Sequence, residues 1–152
     1  YNYAVRFIMK AGISGILGTV AELIEVPRGF ETAIETALGA ALQNIVCTDD
    51  KSAQNAIARL KQQKAGRLTF LPVSSIRGGR GRGEEILRSE EGFRGLGTDC
   101  VTFDEKYRNV LEYLLGRVAV IDTMEHAVRL SKKGGRNSFT SLRIELEGRI
   151  VQ

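Results

Sequence analysis

Apolar positions along this chain fall into short runs of helical or strand period, cut apart by glycine and proline. Tyr3, Ala4, Phe7, Ile8 and Ala11 share one helical stripe that breaks at Gly12, which predicts a helix at the start. Gly12, Gly15 and Gly18 punctuate a turn-rich stretch leading into a short apolar segment over residues 19–26, closed by Pro27. Phe30, Ala33, Ile34, Ala37, Leu38, Ala41 and Leu42 give the clearest amphipathic pattern, a helix expected over 28–42. The β-branched run 44–48, bounded by Asp49 and Asp50, reads as a buried strand. Ala53, Ala56, Ile57 and Leu60 predict a second helix, capped by Asp49 or Asp50 and ended near Gly66; a strand over 68–71 follows, stopped by Pro72.

From Val73 to Gly97 no apolar period is sustained, and residues 77–97, with Arg77-Gly-Gly-Arg-Gly-Arg-Gly83, read as a linker. Beyond it come a strand at 101–103, a helix carrying Tyr107, Val110, Leu111, Leu114 and Leu115, a strand at 117–121 and a helix at 124–130. Residues 142–146 and 149–151 suggest a terminal hairpin turning at Glu147-Gly148. The two halves share a plan, with Leu38-Gly39 matching Leu115-Gly116, Asp49 matching Asp122, and Ala56-Ile57 matching Ala127-Val128. The expected fold is therefore α/β (α+β): two small similar lobes, 12–76 and 98–152, joined by a Gly/Arg-rich linker.

The 152 residues, 43% hydrophobic and 26% charged, suffice for one domain or two small lobes with separate cores. No apolar run approaches the roughly 18 residues of a membrane span, and the first residues lack a secretion signal, so an intracellular protein trimmed at both ends is expected. Cys47 and Cys100 have no CxxC or Cys/His neighbour and read as buried small hydrophobes. His126, the single histidine, reads as a surface helix residue without a second ligand, so neither a metal nor a cofactor is expected. No phosphate-cradling GxxxxGK[ST] loop, dinucleotide fingerprint or GxSxG is present, and the clustered carboxylates read as exposed acidic surface rather than an acid/base pair. Gly12-Ile13-Ser14-Gly15 fits a GXXG loop, but a four-residue match carries little.

Charge changes the picture more. The net charge is only +4, yet residues 51–83 hold eight Lys or Arg and no Asp or Glu. Such a concentration makes a field that recruits polyanions, and basic residues displace counterions without precise geometry. Candidate DNA contacts are Lys61, Lys64, Arg67, Arg77, Arg80 and Arg82, with Lys132, Lys133 and Arg136 at the corresponding end of the second half. Few aromatics accompany them, so no stacking platform is evident. Strand edges at Leu68, Phe70 and Leu71 and at Arg149, Ile150 and Val151 are candidate self-association surfaces, since an edge partner satisfies unpaired backbone groups. A small ligand-binding or enzymatic α/β domain is the rival class, and a nucleic-acid module with incidental pairing is a third.

Glu31-Thr-Ala-Ile-Glu-Thr-Ala-Leu-Gly-Ala-Ala-Leu-Gln-Asn-Ile-Val46, then residues 53–60 and Gly66-Arg-Leu-Thr-Phe-Leu-Pro72, resemble the first hinge lobe of bacterial structural-maintenance-of-chromosomes (SMC) proteins of condensin type. Ala4-Val-Arg-Phe-Ile-Met-Lys-Ala11 resembles the helix arriving from the coiled coil, making residues 1–11 its end. Residues 107–122 and Leu146-Glu-Gly148-Arg-Ile-Val151 resemble the second lobe. The resemblance implies a non-catalytic hinge at the apex of a coiled coil in a nucleoid-associated cytoplasmic ATPase. Its implied partners are a second copy, lobe one against lobe two, and DNA without sequence preference. Accessory condensin subunits would bind elsewhere on the parent. The family continues past such a strand with a Pro-Gly-Gly segment, whereas this chain stops at Gln152, so pairing is expected of the parent first. Residues 134–140 do not fit the family pattern.

Overall fold

A computed structural model describes residues 1–80, 84–132, 143–144 and 150–151. In chain order the elements are α1 (Tyr3–Lys10), β1 (Ile16–Thr19), α2 (Val20–Leu23), β2 (Ile24–Glu25), α3 (Glu31–Leu38), β3 (Ile45–Cys47), α4 (Asp50–Gln62) and β4 (Phe70–Pro72). They continue with α5 (Glu84–Arg88), β5 (Phe93–Leu96), β6 (Thr102–Phe103), α6 (Arg108–Leu115), β7 (Ala119–Ile121), α7 (Met124–Ser131), β8 (Arg143–Ile144) and β9 (Ile150–Val151). The chain divides into two compact units. The first holds Tyr1–Ile24 and Ala40–Arg77, the second Glu25–Gly39 and Gly78–Gln152.

In the first unit β3 is the middle strand, its three residues buried. It pairs antiparallel with β1 and, after the α4 crossover, parallel with β4. The β1 register shifts between Ile16 and Gly18, and Gly18 takes φ +144°, a conformation only glycine adopts freely. Ala4, Val5 and Ile8 of α1 close the core over Ile45 together with Ala56 and Leu60 of α4. Asn2 starts α1 by accepting from the Val5 N–H at 3.0 Å.

The second unit repeats the plan. Its β7 is the buried middle strand, antiparallel to β5 and parallel to β8, with β9 added antiparallel to β8. The bulge recurs between Phe93 and Gly95, with Gly95 at φ +128°. The structural register improves on the half-repeat read from sequence. Cys47 and Ile121 occupy equivalent places, so Asp49 corresponds to Thr123 and not to Asp122; both cap the following helix. Ala53 and Ala56 then correspond to Ala127 and Leu130, all buried.

Three expectations change. The apolar segment 19–26 contains the helical turn α2, because Thr19 and Glu22 form a capping box: the Glu22 N–H donates to Thr19 Oγ1 at 3.2 Å and the Thr19 N–H to Glu22 Oε1 at 2.9 Å. The helix over 28–42 stops at Leu38, since Gly39 turns the backbone to φ +54° and a 3-10 turn follows. Residues 25–39, read as part of lobe one, group with the second unit, where α3 packs against α6 and buries Ala33, Ile34 and Leu38.

The stretch read as a linker, 77–97, holds α5 and the edge strand β5. Its beginning is fixed too. Gly78 lies so close to α6 that a Cβ there would meet the Asn109 carbonyl at 2.6 Å, and a Cβ on Gly116 would clash with the Gly79 carbonyl oxygen. Flexible glycine composition here serves close backbone approach. The terminal hairpin is present as β8 and β9; its expected turn at Glu147-Gly148 lies outside the described residues.

Gly116 has helical dihedrals, φ −66° and ψ −18°, where alanine ordinarily stabilises a chain. The Gly79 contact reverses that sign. Gly116→Ala is expected to lower unfolding stability by about 1–3 kcal/mol in urea titration, as overpacking does; a stabilised variant would refute the clamp.

Candidate nucleic-acid interface and sheet edges

The first unit carries eight Lys and Arg against three Asp and Glu, a net of +5; the second carries 14 against 15. The basic excess is therefore a property of one unit. Its centre is the C-terminal end of α4. Asp49 Oδ1 accepts the Ser52 N–H at 2.8 Å and so anchors the helix N-terminus, and this bond holds the Asp49 carboxyl below the usual carboxylate range. At the other end Arg59 and Lys61 occupy the last turn, where cations favour the helix dipole.

The helix ends in a Schellman motif. Lys64 donates to the Lys61 carbonyl at 3.2 Å and Ala65 to the Leu60 carbonyl at 2.9 Å. This places Lys64 at φ +49°, the one non-glycine residue with positive φ among those described, at a position that glycine normally fills. Gly66, at φ +114°, then turns the chain back toward α1, where a Cβ would meet that of Ala4 at 3.2 Å. The result brings Lys61, Lys64 and Arg67 together around a cleft of about 510 Å³ floored by Ile57, Leu60 and Leu68. All three cations are exposed.

A second cleft of about 410 Å³ lies between α1 and α4, lined by Tyr3, Arg6, Phe7, Lys10 and Arg59. Tyr3 and Phe7 stand one helical turn apart with ring centroids 6.4 Å from each other, and Tyr3 is 60% exposed. Sequence reasoning missed this group. The signal was available in the i, i+3, i+4 and i+7 spacing of Tyr3, Arg6, Phe7 and Lys10, but Arg59 joins them only through the fold.

The remaining candidate cations are placed differently. Arg77 is exposed, as is Lys132 at the C-cap of α7 in the second unit. Arg82, Lys133 and Arg136 lie outside the described residues. Arg80 is not a free guanidinium on a flexible arm, as its sequence context suggests. It donates to Glu84 through Nε and Nη2 at 3.2 and 2.9 Å and to Asp99 at 2.7 Å, with Glu112 at 3.9 Å. These carboxylates raise its pKa further above neutrality, while Arg80 holds Glu84 low.

Among the edge candidates, β4 offers less than its sequence implies. Ile45 donates to the Thr69 carbonyl at 2.9 Å and Val73 to the Cys47 carbonyl at 2.8 Å, so Leu71 turns its backbone groups inward to β3. Leu71 is also buried, whereas Leu68 and Phe70 are half-buried. Pro72 has no N–H, and its carbonyl accepts from Ser75 and Ile76 at 3.2 and 3.0 Å. The outward backbone of Phe70 is what this edge presents. On the four-stranded sheet of the second unit Ile150 and Val151 form the edge strand β9, and Arg149 lies outside the described residues.

No cluster of His, Cys, Asp and Glu among the described residues could hold a metal ion. Cys47 and Cys100 are buried and free, and burial pushes each thiol up to about 11, which makes them poor nucleophiles. His126 is less exposed than expected, its side chain at 20%. Its Nδ1 lies 2.7 Å from Asp122 Oδ1, which lowers the Asp122 pKa and ties the start of α7 to the end of β7.

A family model described as SMC proteins Flexible Hinge Domain matches residues 13–131. The Chromosome partition protein Smc of Bacillus subtilis (strain 168) is 40% identical over 155 residues, covering 99% of this chain and 13% of that protein. The chain thus spans a small part of the relatives it matches. The crystal structure of an asymmetric dimer of the Geobacillus stearothermophilus SMC hinge domain superposes with TM-score 0.92 at 35% identity, covering 100% of this chain and 61% of that one. A Pyrococcus furiosus Smc hinge domain with an extended coiled coil gives TM-score 0.79 at 32% identity over 99% of this chain and 50% of that one.

The strained Lys64 separates stability from charge. Lys64→Gly is expected to raise unfolding stability by about 1 kcal/mol, because the left-handed position no longer bears a side chain. Denaturant midpoints would check this; a destabilised variant would mean that the lysine contributes more to the folded state than its backbone costs.

Proposed function

The chain belongs to the SMC hinge family, and from that membership we propose that it pairs two copies of a chromosome partition protein and touches DNA without reading sequence. It is the connector between coiled-coil arms, with α1 as the end of the arriving helix, and it performs no catalysis. ATP hydrolysis belongs to distant parts of a nucleoid-associated parent, and accessory subunits bind there as well. The likeness to a Geobacillus stearothermophilus hinge described as an asymmetric dimer supports self-association. The structural observation behind it is that the three-stranded sheet ends on the edge strand β4 and the four-stranded sheet on the edge strand β9. Edge-to-edge addition between copies, lobe one to lobe two, satisfies both edges, and two-fold symmetry makes the contact twice.

The net +5 of the first unit carries the DNA half of the proposal. Lys61, Lys64 and Arg67 converge on one cleft and need only proximity to phosphates. Arg77 extends the same basic unit, and Arg82, Lys132, Lys133 and Arg136 remain candidate secondary contacts.

Light scattering at tens of micromolar, on the chain extended past Gln152 by the family's Pro-Gly-Gly segment, is expected to give a dimer. Phe70→Pro, which deletes the outward N–H, shifts it toward monomer, while Phe70→Leu retains pairing. A monomer for that extended chain would remove the self-association reading. By fluorescence anisotropy, replacing Lys61, Lys64 and Arg67 with Ala is expected to weaken duplex binding. It also flattens the log–log salt slope by about 0.9 for each phosphate that is no longer neutralised. An unchanged slope would move the DNA surface off α4.

A further inference from the structure

Arg80 belongs to the basic run by sequence but to the second unit by contact. Two of the carboxylates that hold it have a cation of their own: Glu84 also pairs with Arg88 at 2.8 Å, and Glu112 with Arg108 at 3.9 Å. Asp99, the third, is 40% exposed. Withdrawing Arg80 therefore strands no buried charge, because each carboxylate keeps a cation or water. An ion-pair cluster of this kind, with Arg80 itself 31% exposed, is weak enough to open and is screened by salt. The adjoining Gly78 and Gly79 lie against α6 and Gly116 through backbone contact, so the position of the segment and the pairing of Arg80 support each other.

We propose that Arg80 is a polyanion-operated latch: at rest it pins the Gly78–Arg80 segment to the second unit through Glu84 and Asp99, and bound DNA draws it off. The proposal rests on the DNA reading above and specifies its regulation. Arg77, exposed at the end of the first unit, is three residues away, a reach of about 10 Å for extended chain. A duplex neutralising Arg77 presents a phosphate charge about every 1.7 Å along its axis, and so places several within that reach. Phosphate oxygens then replace carboxylate oxygens around the same fork of N–H donors. No covalent step is involved. The consequence is that the first residues of the second unit's later segment, from Gly78, are held in place when DNA is absent and loosened when it is present.

The latch is tested first without DNA. Trypsin must take the Arg80 side chain into its specificity pocket, so cleavage after Arg80 reports the population of released guanidinium. In the Glu84→Gln/Asp99→Asn variant, cleavage after Arg80 is expected to rise about fivefold while cleavage after Arg77 stays constant. Asp99→Asn alone should give a smaller rise in the same direction and guards against unfolding of α5. Equal rates in wild type and both variants would overturn the latch. The second arm is a duplex-binding cycle by anisotropy. The carboxylate variant is expected to bind several-fold more tightly, and Arg80→Ala in that background to abolish the gain. A gain that survives Arg80→Ala would mean general electrostatics and overturn the hand-over to DNA. Absence of duplex binding by every variant would defeat the DNA reading itself and the hand-over with it, whereas the trypsin result would still stand for the resting latch.

Discussion

The backbone pairing of one three-residue strand organises the first unit. Ile45, Val46 and Cys47 are buried, and they accept β1 on one side antiparallel and β4 on the other parallel. A central strand so short contributes few ladder bonds, and its hold comes from apolar burial on its faces. Ala4, Val5 and Ile8 of α1 and Ala56 and Leu60 of α4 supply that burial. Asp49 follows two residues after Cys47 and caps α4, so the strand also fixes where the helix begins and hence where its basic end projects. The charge cluster is thus placed by a chain of short-range constraints, none of which involves a cation.

The same constraint recurs in the second unit, where Ala119, Val120 and Ile121 take the place of β3 and the glycine bulge reappears in the neighbouring strand. This repetition was legible in the sequence as a plan but not in its register. Leu-Gly and Asp are poor markers, since a cap accepts either Asp or Thr, and Thr123 replaces Asp49. Asp122 resembles the cap by residue type, yet it lies one residue earlier and engages His126 instead. Buried positions were the better guide: Ala53 and Ala56 against Ala127 and Leu130 are set by the helix face, which cannot slide without exposing them.

What stayed hidden in the sequence was long-range. The strand β5 is Phe-Arg-Gly-Leu, too short and too interrupted by its bulge glycine to show alternation, and its existence depends on β7 being there to pair with. Likewise Gly78 and Gly79 look like flexible spacers until α6 is seen against them. Composition reports how freely a backbone can move, not whether something holds it. The same distinction separates Lys61, Lys64 and Arg67, which stay available to a ligand, from Arg80, which has carboxylate partners 4, 19 and 32 residues away.

Availability, more than count, is what decides the electrostatic role of a basic residue. A guanidinium already hydrogen-bonded to two carboxylates adds little to the long-range field, because its charge is cancelled within a few ångströms. It can still act if a competing anion lowers the free energy of releasing it. Release must then leave the carboxylates compensated, and Arg88 and Arg108 meet that requirement for Glu84 and Glu112. Lys64 follows the opposite course: it is held exposed by a backbone conformation unfavourable to any side chain, so its charge is presented at a standing conformational cost. One unit therefore displays its cations permanently at the end of α4, and the other stores one where its later segment begins, next to Arg77 in the chain.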